Sequence, residues 1–225
     1  MIKNLRRAAM AAVLLVVPLM APASAHAHGR AAETYTVPLT AAIHALPLAA
    51  EARAGYQRTS FKHWNTGNNP TDGCNTRAEV LLNEAVDRPD VLPGCKLSGG
   101  RWWSYYDAKW VTSASALDVD HMVPLAEAWD SGASQWTAKR REAYANDLDA
   151  VTSLVAVTAA SNRTKADQDP AQWLPTADGV LCRYLTEWTA TKLRWGLTAD
   201  ADERKELTKL AGACPGATVT YEPAP

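Results

Sequence analysis

Leu117-Asp118-Val119-Asp120-His121-Met122-Val123-Pro124 opens the stretch that decides the reading of this chain. Some thirty residues later Thr152-Ser153-Leu154-Val155-Ala156-Val157 runs into Ala159-Ala160-Ser161-Asn162-Arg163-Thr164-Lys165. The first segment alternates apolar and acidic residues, the period of a strand, and Pro124 stops it. An acidic strand ending in histidine is costly to bury unless a cation compensates it. The second segment is a short β-like run followed by a polar helix, so the order is strand, insertion, strand, helix. Asp120 and His121 are neighbours, and neighbours on a regular strand point to opposite faces. For both to serve one site the strand must end or bulge there, so irregular backbone is expected at Asp120–His121. A regular strand through Met122 counts against that arrangement.

Outward from this core, the insertion Leu125 to Asn146 reads as two short helices. Trp129, Trp136 and Tyr144 face inward, and Lys139, Arg140 and Arg141 form either a local basic patch or a solvated face. Downstream, Asp169-Pro170 has the form of a helix start. Leu181, Leu185, Trp188 and Trp195 then recur at near-helical spacing, and Thr198 opens a second helix with Asp200, Asp202 and Glu203 at its positive end. Upstream, Thr76–Val86 reads as a helix, and Trp102, Trp103, Tyr105, Tyr106 and Trp110 as strand core rather than a base-stacking surface. Leu39–Arg53 reads as a helix interrupted at Pro47. His44 and His63 have no evident partners and are taken as structural.

The N-terminus has Lys3, Arg6 and Arg7, an apolar run from Ala8 to Met20, and Ala23-Ser24-Ala25. That order predicts a cleavable secretory signal peptide at 1–25; the competing reading, a membrane anchor, suits the short apolar run less well. Residues 26–38 are expected to be a flexible leader, 39–216 a single domain with its motif core at 117–170, and 217–225 a frayed tail. After residue 25 the chain holds 20 basic and 24 acidic residues, a net charge of −4 with histidine neutral. An acidic average argues against a general nucleic-acid binder and leaves room for a local patch.

Cys74, Cys95, Cys182 and Cys214 suit an oxidising compartment and two disulfides, with three pairings possible. Cys74–Cys95 and Cys182–Cys214 are favoured because each is local. Two antiparallel helices would also bring Cys182 beside Cys214. Zinc is the competing reading, but no C-x-x-C is present. Each closed loop contributes ~3–4 kcal/mol in the chain-entropy account.

DVDHMVP followed by an N-R-x-K helix resembles the HNH endonucleases, including the nuclease domain of RNA-guided effectors and the C-terminal domain of GmrSD-type restriction enzymes. GYQRTSFKHW, GCNTRAEVL, DVDHMVPLAEAWDSGA, ANDL and SNRTKADQDPAQWLP resemble secreted bacterial HNH-family proteins from about Pro47 to Cys214. The resemblance implies an α+β fold: a small ββα-metal core wrapped by helices and stapled by two disulfides. It implies Asp120 and Asn162 as ligands of one divalent cation, Mg²⁺ or Mn²⁺, His121 as general base, and Asn146 as the residue that braces it. Arg163 and Lys165 would hold the phosphate backbone. Asp118 is either a further ligand or a carboxylate paired with arginine.

The implied activity is phosphodiester hydrolysis in nucleic acid, chiefly DNA and with RNA as the other candidate, by a secreted monomer of low sequence specificity that does not enter a membrane. No separate DNA-reading module is visible in the sequence. Two other readings stand beside it. One is a non-catalytic binding protein on the same scaffold, and the other is a phosphodiesterase acting on smaller substrates. Serine-hydrolase and zincin readings lack their G-x-S-x-G and H-E-x-x-H motifs.

Overall fold

The structure is a computed structural model that describes residues 33–225; the signal-peptide reading and most of the leader lie outside them. In chain order the elements are β1 (Tyr35–Pro38), α1 (Leu39–Ala45), α2 (Thr76–Glu84), β2 (Asp90–Leu92), β3 (Lys96–Ser98), β4 (Trp102–Ser104), β5 (Lys109–Val111), β6 (Leu117–His121), α3 (Leu125–Asp130), α4 (Ala138–Ala145), β7 (Leu154–Thr158), α5 (Ala159–Lys165), α6 (Leu181–Trp195), α7 (Ala201–Ala211) and β8 (Thr218–Tyr221). The strands form four two-stranded antiparallel sheets: β1–β8, β2–β3, β4–β5 and β6–β7. The result is a mixed α/β chain with small sheets, as expected.

The β6–β7 pair joins the two segments of the motif core. Leu117 lies opposite Thr158, Asp118 opposite Val157, Val119 opposite Ala156, Asp120 opposite Val155, and His121 opposite Leu154. Both faces are covered. Leu117, Val119, Leu154 and Ala156 pack with Val80, Leu81 and Trp102, while Val155 and Val157 join the larger core around Trp188 and Tyr184. Coverage on both faces is why β7 is apolar without alternation. On that larger-core side β6 contributes Asp118 and Asp120 instead of apolar residues. The outer edge of β7 is satisfied by side chains: Ala156 N–H donates to the Glu84 carboxylate (3.0 and 3.1 Å) and Thr158 N–H to Ser104 Oγ (3.0 Å). Edge donors that would otherwise face other chains are thereby used up.

Both disulfides pair as expected, Cys74–Cys95 and Cys182–Cys214. The second joins the first turn of α6 to the residues just past α7. Asp200 caps α7, accepting from the N–H groups of Asp202 (2.6 Å) and Glu203 (2.9 Å). Lys192 is buried between α3 and α7, bonded to Glu127 (2.9 Å), Ser131 Oγ (3.0 Å), the Thr198 carbonyl (2.9 Å) and Glu203 (2.5 Å).

Several expectations fail. Residues 35–38, the end of the expected leader, and 218–221, in the expected frayed tail, form a ladder with each other. Tyr35 stacks on Tyr221 (5.4 Å between ring centroids), and Val219 is fully buried against the main core. Hydrogen bonding and burial together offset the entropy of ordering both ends. The first helix stops at Ala45, and Pro47 and Ala49 bond to Ala199 across a parallel bridge instead. Asp169-Pro170 starts no helix: Asp169 takes the N–H of Ala171 on its side chain (2.7 Å), and Gln172 and Trp173 donate to its carbonyl, giving one turn before Pro175. Of the basic cluster only Lys139 is exposed. Arg140 bonds to the carbonyls of Trp195 and Pro225, and Arg141 to those of Ser60, Ala133 and Trp136. Both arginines also lie over tryptophan rings, so they tie the chain together instead of forming a free patch.

Candidate active site

β6 does not bulge. Asp120 and His121 both keep ladder register, and Met122 N–H donates to Ser153 O (3.0 Å) beyond them. The expected irregularity is absent, and the two side chains take opposite faces. They meet at one site for a different reason. β6 pairs only with β7 among the described residues, so no strand covers its other edge, where side chains of Arg77 and Lys165 reach the carbonyls of Leu117 and His121. A cleft of about 440 Å³ there is bordered by Asp120, His121, Asn162, Arg163, Arg58 and Tyr56, among others. Residues on both faces of a strand can border its free edge.

On one face, His121 is buried with Nε2 3.0 Å from the carbonyl oxygen of Ala145, the last residue of α4. A carbonyl only accepts, so Nε2 carries the proton and the lone pair of the neutral ring sits on Nδ1. Burial pushes the imidazole pKa down to about 3; the bond to Ala145 opposes this, and Arg58 and His63 add to it. Trp64 stacks on the ring (5.5 Å), with His63 edge-on at 6.3 Å.

Asn146 follows Ala145 and caps α4. Its Oδ1 accepts from Asn65 N–H (2.8 Å) and Thr76 Oγ1 (2.9 Å), and its Nδ2 donates to the carbonyls of Lys62 (2.9 Å) and Glu142 (2.7 Å). These four bonds join α4 to the 62–65 segment that carries His63 and Trp64 and to the start of α2. Asp147 anchors the other side, held by Arg194 through both oxygens (2.7 and 2.9 Å) and by Ser153 and Trp195.

On the other face, Asp120 is buried and its Oδ2 accepts from Tyr106 Oη (2.7 Å) and from Lys165 Nζ. Lys165 is wholly inaccessible and also donates to the carbonyls of His121 (3.1 Å) and Met122 (2.8 Å). It therefore cannot hold a phosphate, as the sequence had suggested. α5 ends at Lys165, and the long side chain turns inward because the Asp120 carboxylate needs a counter-charge. Burial raises the Asp120 pKa and lowers that of Lys165, and their pairing opposes both shifts.

Asn162 Nδ2 donates to Asp118 Oδ2 (3.2 Å), and Arg163 Nε lies 3.7 Å from the same oxygen. Asp118 is thus an arginine-facing carboxylate that also orients the amide. The Arg163 side chain is 76% exposed beside the cleft. With its nitrogen committed to Asp118, Asn162 presents a carbonyl oxygen. The Tyr106 and Lys165 contacts of Asp120 both fall on Oδ2, leaving Oδ1 outside them. Hard oxygen donors of this kind fit Mg²⁺ or Mn²⁺.

The sequence pattern of the GmrSD restriction endonucleases, C-terminal domain, matches residues 81–210. The chain belongs to that family. The matched stretch runs from Leu81 in α2 to Leu210 in α7 and contains every residue from Asp118 to Lys165. GmrSD-family membership makes the chain a relative of nuclease domains and supports a hydrolase activity of that broad kind. An uncharacterized secreted protein of Arthroderma benhamiae is 38% identical over 160 residues, covering 71% of this chain and 76% of its own length. That relative is fungal, so the likeness extends beyond the bacterial secreted proteins named from the motifs. No solved structure matches. Among the described residues no helix is long and apolar enough to cross a membrane.

From sequence Tyr106 reads only as strand core, and Arg58 carries no assigned role. A buried tyrosine hydroxyl needs a partner, which was the available hint for Tyr106. Arg58 lies in GYQRTSFKHW, whose resemblance drew attention without giving any residue a task.

Proposed function

We propose that the chain is a secreted, monomeric, HNH-type endonuclease that hydrolyses phosphodiester bonds of DNA with little sequence preference. The observation that carries this reading is the 3.0 Å contact between His121 Nε2 and the Ala145 carbonyl beside the cleft, from which the tautomer follows. Nε2–H is committed to Ala145, so Nδ1 is the basic atom. Asp120 and Asn162 border the same opening from the other side of β6.

His121 removes a proton from the attacking water at Nδ1, and its low basicity keeps the ring neutral at physiological pH. Asn146 holds Ala145, Lys62 and Asn65 in one arrangement, which fixes the direction of the imidazole. Asp120 and Asn162 hold one divalent cation, Mg²⁺ or Mn²⁺, which supplies charge stabilisation at the phosphate when bound. Lys165 and Tyr106 keep Asp120 ionised and oriented. Arg163 and Arg58, which both border the cleft, contact the phosphodiester backbone and take the role that the resemblance implies for Arg163 and Lys165. Secretion is supported by the leader pattern, the two disulfides and the secreted fungal relative.

The test is cleavage of supercoiled plasmid by the protein from residue 26 onward, with Mg²⁺, with Mn²⁺ and with EDTA, beside His121→Ala. Metal-dependent nicking should fall at least ~10²-fold in the variant. Plasmid, single-stranded DNA and RNA left intact under every metal would return the chain to the binding-protein reading. Turnover of only a small phosphodiester would give the third reading.

A further inference from the structure

Away from the nuclease cleft, four separate segments bring five carboxylates together. Glu51 lies in the extended segment after α1, which the Ala49–Ala199 and Ala199–Pro47 backbone bonds hold beside Asp200. Glu127 and Asp130 project from α3, Asp169 begins the turn after α5, and Asp200 caps α7. One oxygen each from Glu51, Glu127 and Asp130 lie within 4.8 Å of one another, and the same holds for Glu51, Asp169 and Asp200. The two sets share Glu51. The adjoining cleft of about 870 Å³ is bordered by Glu51, Asp169, Asp200 and Asp202 and by no lysine, arginine or histidine.

The cations nearby do not balance this charge. Lys192 serves Glu127 and Glu203, and Arg53 is shared between Asp130 Oδ2 (2.6 Å) and Asp167 (2.5 Å). A second observation is independent of the clustering. The Asp130 side chain is fully buried, and its Oδ1 has no hydrogen-bond partner. A sealed carboxylate oxygen with no donor is expensive, and its residue belongs to one of the two acidic sets. Burial, with Glu127, Asp200 and Asp130, also raises the Glu51 pKa to about 7.

We propose that Glu51, Glu127 and Asp130 form a second cation site that takes one calcium ion in a structural role, with Asp169 and Asp200 adding negative charge beside it. Every donor is a carboxylate oxygen, which selects a hard cation over zinc or copper. Carboxylates from an extended segment and a helix, with room for water, suit the irregular six- to eight-oxygen shell of calcium better than the strict octahedron of magnesium. The ion cross-links the segment after α1 to α3. Through Asp130, Arg53 and Asp167 it also steadies one wall of the nuclease cleft.

The test is calcium titration of the chelator-treated protein by calorimetry, with thermal unfolding in calcium and in EDTA. The readout is independent of cleavage. One calcium per chain should bind and raise Tm by several degrees. Glu51→Gln, an exposed position that leaves the fold intact, should weaken binding at least about tenfold and abolish the Tm rise. Asp120→Asn should leave both unchanged. Asp130→Asn supplies its own donor at the sealed position; it should weaken binding while raising Tm in EDTA. No calcium-dependent heat or Tm shift in the native protein would overturn the proposal. So would a shift that survives Glu51→Gln, or one lost only in Asp120→Asn, which would assign the ion to the nuclease cleft.

Discussion

Among the described residues two lysines are wholly buried, and the difference between their surroundings separates architecture from chemistry. Lys192, on α6, meets two carboxylates, Glu127 and Glu203, as well as Ser131 and the Thr198 carbonyl. Burial pushes its pKa down, but Glu203 and Glu127 overrule it and the pKa rises. Lys165, on α5, meets one carboxylate, Asp120, and two carbonyls. There burial prevails and the pKa falls. The lysine with surplus negative partners pins α3 and α7 to α6. The lysine with one partner stands beneath the candidate site, where its single carboxylate still has an oxygen to offer.

Lys192→Met breaks the stronger side of this comparison. It leaves Glu127 and Glu203 buried without their cation, and Trp188 Nε1 bonded to Glu203 (2.6 Å) is little compensation. Breaking a buried pair costs about 3–5 kcal/mol, and two stranded carboxylates put this variant at the upper end. Urea unfolding at pH 7 measures the loss. Lys165→Met strands one carboxylate, which keeps the Tyr106 hydroxyl, so its loss should fall near the lower end, about 3 kcal/mol. The Asp120 pKa is already raised, and loss of the lysine raises it further. Protonation then relieves the strain, and the deficit of Lys165→Met should narrow between pH 7 and pH 5. Equal losses in the two variants would mean that carboxylate number does not distinguish the sites.

The same contrast explains what could be read from sequence. The alternation in Leu117–His121, the apolar run of β7 and the spacing of Leu181, Leu185 and Trp188 are local patterns tied directly to burial, and they appear as β6, β7 and α6. Both disulfides followed from proximity along the chain. An acidic strand does require a cation, but nothing local says which one, and beside Asp120 it is Lys165. A lysine at the end of a seven-residue polar helix looks solvated, and only the packing shows it turning inward. The β1–β8 ladder was invisible for another reason. Two four-residue segments at opposite ends of the chain carry no local signal of their partner, and Pro38 reads as a break. The placement of Asp120 and His121 on one free strand edge depends on β6 having a single neighbour, which is likewise a tertiary fact.

Glu84 extends the comparison to a carboxylate with no lysine. It sits largely buried on α2 and caps the edge of β7 through Ala156 N–H. Burial raises its pKa to about 8; the Ala156 bond and Arg183 oppose the shift, and Glu187 adds to it. Here the proton does what lysine does at the other two sites. Between the ordinary carboxylate value, 4.5, and about 8, the folded protein binds a proton that the unfolded chain does not. This contribution to stability is full below pH 4.5 and is lost as pH rises through 8. Glu84→Gln keeps an oxygen for Ala156 and removes the titration. It should match the parent protein near pH 4.5 and exceed it at pH 9 by about 2–4 °C in Tm, the effect of roughly 1 kcal/mol in a chain of this size. Parallel Tm curves across that range would mean that Glu84 is ionised throughout, compensated by Arg183 and the Ala156 N–H, and it would then belong with the cation-paired carboxylates.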